Sequence, residues 1–146
     1  MITAQALCEL IPHAGPMCLI QELVSWDEER IVCRTRSHLS KDNPLRRDGR
    51  LNAIHAIEYG AQAIGLHGGL LARRHAEPAR SGLLAGLRHI KLHRGRLDDS
   101  QASLLIRAHR LLADSQNLLY AFTVHLEQTP VAEGRAAIIT QLGVEI

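Results

Sequence analysis

The stretch Leu51–Ala72, LNAIHAIEYGAQAIGLHGGLLA, decides how the rest of this chain is read. It is apolar or small on almost every side and carries one formal charge, Glu58. Alternation at period two is absent and the run is too long for one strand. Ile54, Ile57, Ala61, Ile64 and Gly68 recur instead at helical spacing. The pattern predicts a helix, and a helix that is greasy all round belongs inside a protein. Its small residues (Gly60, Ala61, Ala63, Gly65, Gly68, Gly69) lower helix propensity, by up to about 1 kcal/mol per glycine. Close approach of other backbone, such as a sheet wrapped around the helix, offsets that loss. A membrane span is a poor reading. Asn52, His55, Glu58, Gln62 and His67 interrupt a run that would need about 20 predominantly apolar residues.

Glu58 and Gln62 are four residues apart and share a helix face. Burying an unpaired carboxylate is costly, so the group finds a partner or takes up a proton. A carboxylic acid held protonated near neutrality is placed to act as a general acid. The other reading is a structural Glu58, bonded to backbone or paired with an arginine. Charge pattern alone does not choose between them.

A chain of 146 residues accommodates one domain, expected over 1–146, with a sizeable core. Its 46% hydrophobic and 22% charged content is ordinary for a soluble globular protein. Cys8, Cys18 and Cys33 have no metal-like spacing and leave an odd one under any pairing. They are expected as reduced, intracellular thiols. The amino terminus, MITAQALCELIPHAGP, lacks a basic region leading an apolar core, so no signal peptide is expected and the protein is read as cytoplasmic.

The net charge of +2 hides an asymmetry. Residues 73–96 hold seven cations against Glu77 alone, and 46–50 hold three against Asp48. That is a net of +8, which leaves −6 for the rest. Such basic segments flanking the helix can meet at the mouth of one site and draw an acidic partner or a phosphate, or form a merely solvated face. Nucleic acid is not expected, because aromatics total 3% and no stacking platform is visible.

Around the helix the chain reads as follows. Residues 3–10 form a short helix or turn, and IPHAGPM (Ile11–Met17) is a stiff proline turn around His13. Met17–Val24 and Arg30–His38 form a hairpin across the polar turn Trp26–Glu29, and Leu39–Arg50 is a loop. Strands are expected at Leu83–Leu92, Gln101–Leu112, Leu118–Glu127 and Val131–Gln141, joined by short turns as in an antiparallel meander. The class is α+β, with a five- to six-stranded antiparallel sheet wrapping one long central helix.

Two segments give this layout a family likeness. IPHAGPMCLIQEL resembles the LPHRxPFLLVDRV of the β-hydroxyacyl-acyl-carrier-protein dehydratases, and NAIHAIEYGAQA resembles the PGVLIIEAMAQA that opens their central helix. The resemblance implies the hot-dog fold and spans nearly the whole chain, though only IEYGAQA is specific. IEYGAQAIGLHGGL is most similar to the branch found with aryl-polyene and related polyketide-type lipid clusters.

The activity so implied removes water from a 3-hydroxyacyl thioester to give a trans-2-enoyl thioester. The substrate rides on 4'-phosphopantetheine, no other cofactor or metal is required, and the partners are an acyl carrier protein and a second copy of the chain. Backbone N–H groups at the helix start, here about Ala53 and Ile54, would polarise the thioester carbonyl. Glu58 would protonate the departing C3 hydroxyl, burial having raised its pKa, and Gln62 would hold it in place. The family's second catalytic residue is a loop histidine, and it is absent. DNPL stands where HFP is expected, and Asn52-Ala53 replace the Pro-Gly step. Asn43 cannot accept a proton, although it can donate a hydrogen bond to a thioester oxygen or hold a water.

Three readings follow. His13 or His55 supplies the base from this subunit or its partner; Glu58 makes both proton transfers; or the activity is weak or gone. His38 opens the loop too early in the motif, and His67, more than two turns beyond Glu58, packs or caps. His89 and His93 share an HxxxH spacing, but along a strand four residues span roughly 13 Å, too far to share a metal. The alternatives to a dehydratase are a hot-dog thioesterase, with Glu58 activating water that Asn43 positions, and a non-catalytic acyl-binding subunit that pairs with an active homologue.

Overall fold

Asn52 begins the central helix by taking the Ile54 N–H onto its side-chain oxygen at 2.8 Å, which opens a 3-10 turn, Ala53–His55. The computed structural model describes residues 3–10, 17–78 and 80–142. The elements in order are α1 (Ala4–Glu9), β1 (Glu22–Trp26), β2 (Arg30–Thr35), α2 (Ala56–Arg74), β3 (Arg80–Leu92), β4 (Leu104–Ala113), β5 (Asn117–Leu126) and β6 (Thr129–Leu142). The six strands form one antiparallel sheet in the order β1-β2-β4-β5-β6-β3, so β1 and β3 are its edges. This is the hot-dog arrangement.

Period-two alternation on β5 turns Tyr120, Phe122, Val124 and Leu126 inward, all buried. They meet Ala56, Tyr59, Ala63, Leu66 and Leu70 of α2, with Ile31, Cys33 and Ile106 completing the core. Cys33 is sealed there, and burial pushes its thiol up to about 12. Arg73 and Arg74 close α2, where cations suit the negative end of the helix dipole.

Three expectations are corrected. The first strand begins later, at Glu22, and includes Trp26. Asp27 makes the turn instead, its carboxylate taking the N–H groups of Glu29 and Arg30 at 2.8 Å each; those bonds hold its carboxyl below the usual range. The cysteines are not all reduced, since Cys8 and Cys18 form a disulfide with Cα atoms 5.7 Å apart. Their pairing depends on how α1 folds back beside the segment before β1, which spacing alone does not reveal. Finally, α2 is not covered all round. It packs on β2, β4, β5 and β6, while β3 stands beyond it. Ile54 is therefore 44% exposed, and Ile57, Glu58, Ala61 and Gly65 down the same flank are half-buried.

The small residues of α2 divide by face. A Cβ on Gly60 would lie 2.7 Å from Cδ2 of the buried Phe122, whereas one on Gly68 would meet nothing within 4 Å. Both replacements by alanine gain up to about 1 kcal/mol of helix propensity. At Gly60 that gain is outweighed by overpacking, which costs about 1–3 kcal/mol. In urea titrations, Gly60→Ala should lower stability by about 1–2 kcal/mol and Gly68→Ala should raise it by about 0.5–1 kcal/mol.

Candidate active site

Gln62 organises the site. Buried in α2, it donates from Nε2 to the Met17 carbonyl at 2.6 Å and to Oε1 of Glu58 at 3.0 Å, and accepts the Leu19 N–H on Oε1 at 2.9 Å. Both amide hydrogens are engaged, which fixes the orientation of the carboxamide. The Glu58–Gln62 pair expected from their spacing is thus formed. Glu58 lies on the open flank of α2 rather than in a closed apolar pocket, because one chain's sheet reaches only part of the way around the helix.

The helix start differs from its expected role. The Ala53 N–H donates to the Gly95 carbonyl at 2.9 Å, and the Ile54 N–H to the Asn52 side chain at 2.8 Å. Neither points an unspent donor at a thioester oxygen. Asn52, where the family has a proline, brings the competing acceptor.

Asn43 is buried, at 6% exposure, and its amide is also committed. Nδ2 donates to the Ser37 carbonyl at 2.9 Å and to the Tyr59 hydroxyl at 3.2 Å, while Oδ1 accepts the Leu45 N–H at 2.9 Å. The Tyr59 hydroxyl also bonds the Ser37 hydroxyl at 2.8 Å, and burial raises its pKa. Asn43 pins its loop to α2 and is not aimed at a ligand beside Glu58. Sequence reasoning missed this Tyr59–Ser37–Asn43 network, because nothing in the spacing of the three residues shows that they meet.

His13 lies outside the described residues. His55 lines an open cleft of about 610 Å³ with Arg47, Arg50, Asn52, Ile54 and Arg96. The basic segments on either side of α2 therefore do meet, at the helix start, one turn from Glu58. Arg96 is gripped by Asp98, which also holds Arg46.

His38 and His67 are buried and structural. Their Nε2 atoms lie 2.9 Å from the Ala102 carbonyl and 2.8 Å from the Asp27 carbonyl, so each ring donates there and is neutral at Nδ1. The Tyr120 hydroxyl donates to Nδ1 of His67 at 2.5 Å. Burial lowers both pKa values below the usual 6.5. As pH falls through about 6.5 the unfolded chain takes up these protons more readily than the folded one. Stability is then complete above that pH and declines below it. Urea titrations should show lower stability at pH 5.5 than at pH 7.

A long helix in the curve of a β1-β2-β4-β5-β6-β3 sheet, with an acid and a glutamine one turn apart on it, marks a hot-dog protein. The chain belongs to the ApeP-like family, the ApeP dehydratases, whose model matches residues 5–142. Among solved structures it is similar to the dehydratase heterocomplex ApeI:P from Xenorhabdus doucetiae, with 24% identity over 92% of this chain and 90% of that one, at a TM-score of 0.82. It is also similar to a hypothetical thioesterase with coenzyme A from Streptococcus pneumoniae TIGR4 (15% identity, 85% and 88% coverage, TM-score 0.61). A third is the E. coli PaaI protein from the phenylacetic acid degradation operon (12% identity, 93% and 88% coverage, TM-score 0.64). No curated protein matches the chain in sequence. Among the described residues no helix is long and apolar enough to cross a membrane.

Proposed function

We propose that this chain is a subunit of a cytoplasmic dehydratase that removes water from 3-hydroxyacyl chains carried on an acyl carrier protein, in fatty-acid or aryl-polyene-type lipid synthesis. The observation that carries the reading is the Glu58–Gln62 pair, joined at 3.0 Å on the open flank of α2 in a chain of a dehydratase family. Glu58 protonates the leaving C3 hydroxyl, and the apolar flank running from Ile54 past Ala61 and Gly65 takes the acyl chain. Arg47, Arg50 and Arg96 at the cleft meet the phosphate of phosphopantetheine and the acidic face of its carrier.

A second hot-dog subunit completes the site. On β3, Leu83 is 69% and Leu84 45% exposed, and that unpaired edge fits a second sheet edge, whose owner would also close the flank holding Glu58. A second copy of this chain is the simplest occupant. The heterocomplex in the similar ApeI:P structure supports a different subunit as the other candidate. The committed Asn43 amide and the spent N–H groups of Ala53 and Ile54 favour an arrangement in which the partner brings the base and the carbonyl polariser. In its extreme form this chain is an accessory subunit.

The test is incubation of the purified protein with a 3-hydroxyacyl carrier-protein thioester, followed by intact mass. Loss of one water is the expected result. Release of a free thiol indicates a thioesterase, and an unchanged mass indicates the accessory role. Light scattering should give a dimer for the chain alone if a second copy is the partner.

A further inference from the structure

We propose that the Cys8–Cys18 disulfide is a positioning element for Glu58, acting through Gln62, so that the placement of the acid follows the redox state of these two cysteines. The inference rests on the reading of Glu58 given above. Cys18 sits between the two backbone groups that Gln62 grips, the Met17 carbonyl at 2.6 Å and the Leu19 N–H at 2.9 Å. The same Nε2 holds Glu58 at 3.0 Å. Segment 17–19 precedes β1 and has no place in the sheet ladder. Besides Gln62, its anchors among the described residues include the hydroxyls of Thr35 and Ser37 on the Leu19 carbonyl, at 2.6 and 2.7 Å, the Leu19 side chain in the core, and the disulfide to α1. α1 is itself seated in the core by Leu7. The disulfide therefore ties the backbone under Gln62 to a second, independently packed element.

Both half-cystines are half-buried, within reach of a small thiol, whereas Cys33 is sealed in the core with its thiol raised to about 12. A dithiol reductant attacks one sulfur and the Cys8–Cys18 bond breaks. Two electrons and two protons pass from the reductant to the two cysteines, and the reductant leaves as its own disulfide. Segment 17–19 then keeps its hydrogen bonds and the burial of Leu19 in the core but loses its covalent tie to α1, which loosens the frame against which Gln62 aims Glu58. Exchange with a disulfide of the same class reverses the step.

The experiment uses the whole protein, isotope-labelled, with and without dithiothreitol. Alkylation and mass should show Cys8 and Cys18 protected until reductant is added. On reduction the Leu19 amide should exchange at least about tenfold faster while the Phe122 amide in the core does not change. The resonance of the Glu58 carboxyl carbon should move at fixed pH, and Cys8→Ser should reproduce both changes without reductant. Free alkylation of both cysteines in the oxidised protein would overturn the proposal. So would an unchanged Leu19 amide, or a faster amide with an unmoved Glu58 carboxyl resonance. None of these readouts requires turnover, so a protein that dehydrates nothing defeats the functional reading and still decides this one.

Discussion

Glu58→Gln should cut water loss from a 3-hydroxyacyl thioester by about 10³-fold, within the 10²–10⁴ that positioned acid–base groups supply. The fold should survive. The new amide is nearly the shape of the carboxylate, and its oxygen can still accept from Nε2 of Gln62, which now lies 3.0 Å from Oε1. What it lacks is a proton to give to the leaving hydroxyl. The measurement is single-turnover conversion followed by mass, beside thermal melts of both proteins. A variant that stays folded and keeps its rate within tenfold of the parent would remove Glu58 from the chemistry, leaving the Glu58–Gln62 pair a structural clamp on segment 17–19.

The second large effect is expected at Asp98, whose side chain is only 4% exposed. Its carboxylate takes Nη1 of Arg46 at 2.7 Å and both Nε and Nη2 of Arg96, at 2.9 and 3.1 Å. Arg46 in turn holds the carbonyls of His38 at 3.0 Å and Ser40 at 2.6 Å. One anion therefore ties the loop before α2 to the loop after β3. Breaking a buried pair by removing one partner costs about 3–5 kcal/mol; Arg96 is partly solvated, so about 2–3 kcal/mol is expected for Asp98→Ala at pH 7.

The arginines beside Asp98 hold its carboxyl well below the usual carboxylate range. Its contribution is accordingly complete above about pH 4 and is lost as pH falls further. The difference between parent and variant in urea titrations should shrink when pH is taken from 7 to 3. A gap of the same size at both values would mean that packing, not charge, ties the loops.

The helix was legible because its apolar run is too long for one strand and does not alternate, and the long strands because β5 alternates so plainly. Pairing of Glu58 with Gln62 follows from helical geometry alone, and so it could be read. Other parts depend on contacts between residues far apart in the chain. Asn43 looked available for a ligand because nothing near it in sequence reveals that Tyr59, sixteen residues on, takes its amide. The N–H groups of Ala53 and Ile54 looked free because a helix start usually offers them. Gly95, some forty residues later, claims one, and the neighbouring Asn52 claims the other. The open flank of α2 escaped notice for a related reason, since an apolar helix in sequence gives no sign of which side its own sheet fails to reach.

Strand β3 runs for thirteen residues along the rim of the sheet, with leucines bared on both of its faces. A copy made without a mate offers that rim to any other unsatisfied strand in the cell, the usual route into insoluble deposits. Matched synthesis of whatever docks there would then govern yield as much as catalysis, and recombinant production of the lone polypeptide should suffer first in solubility.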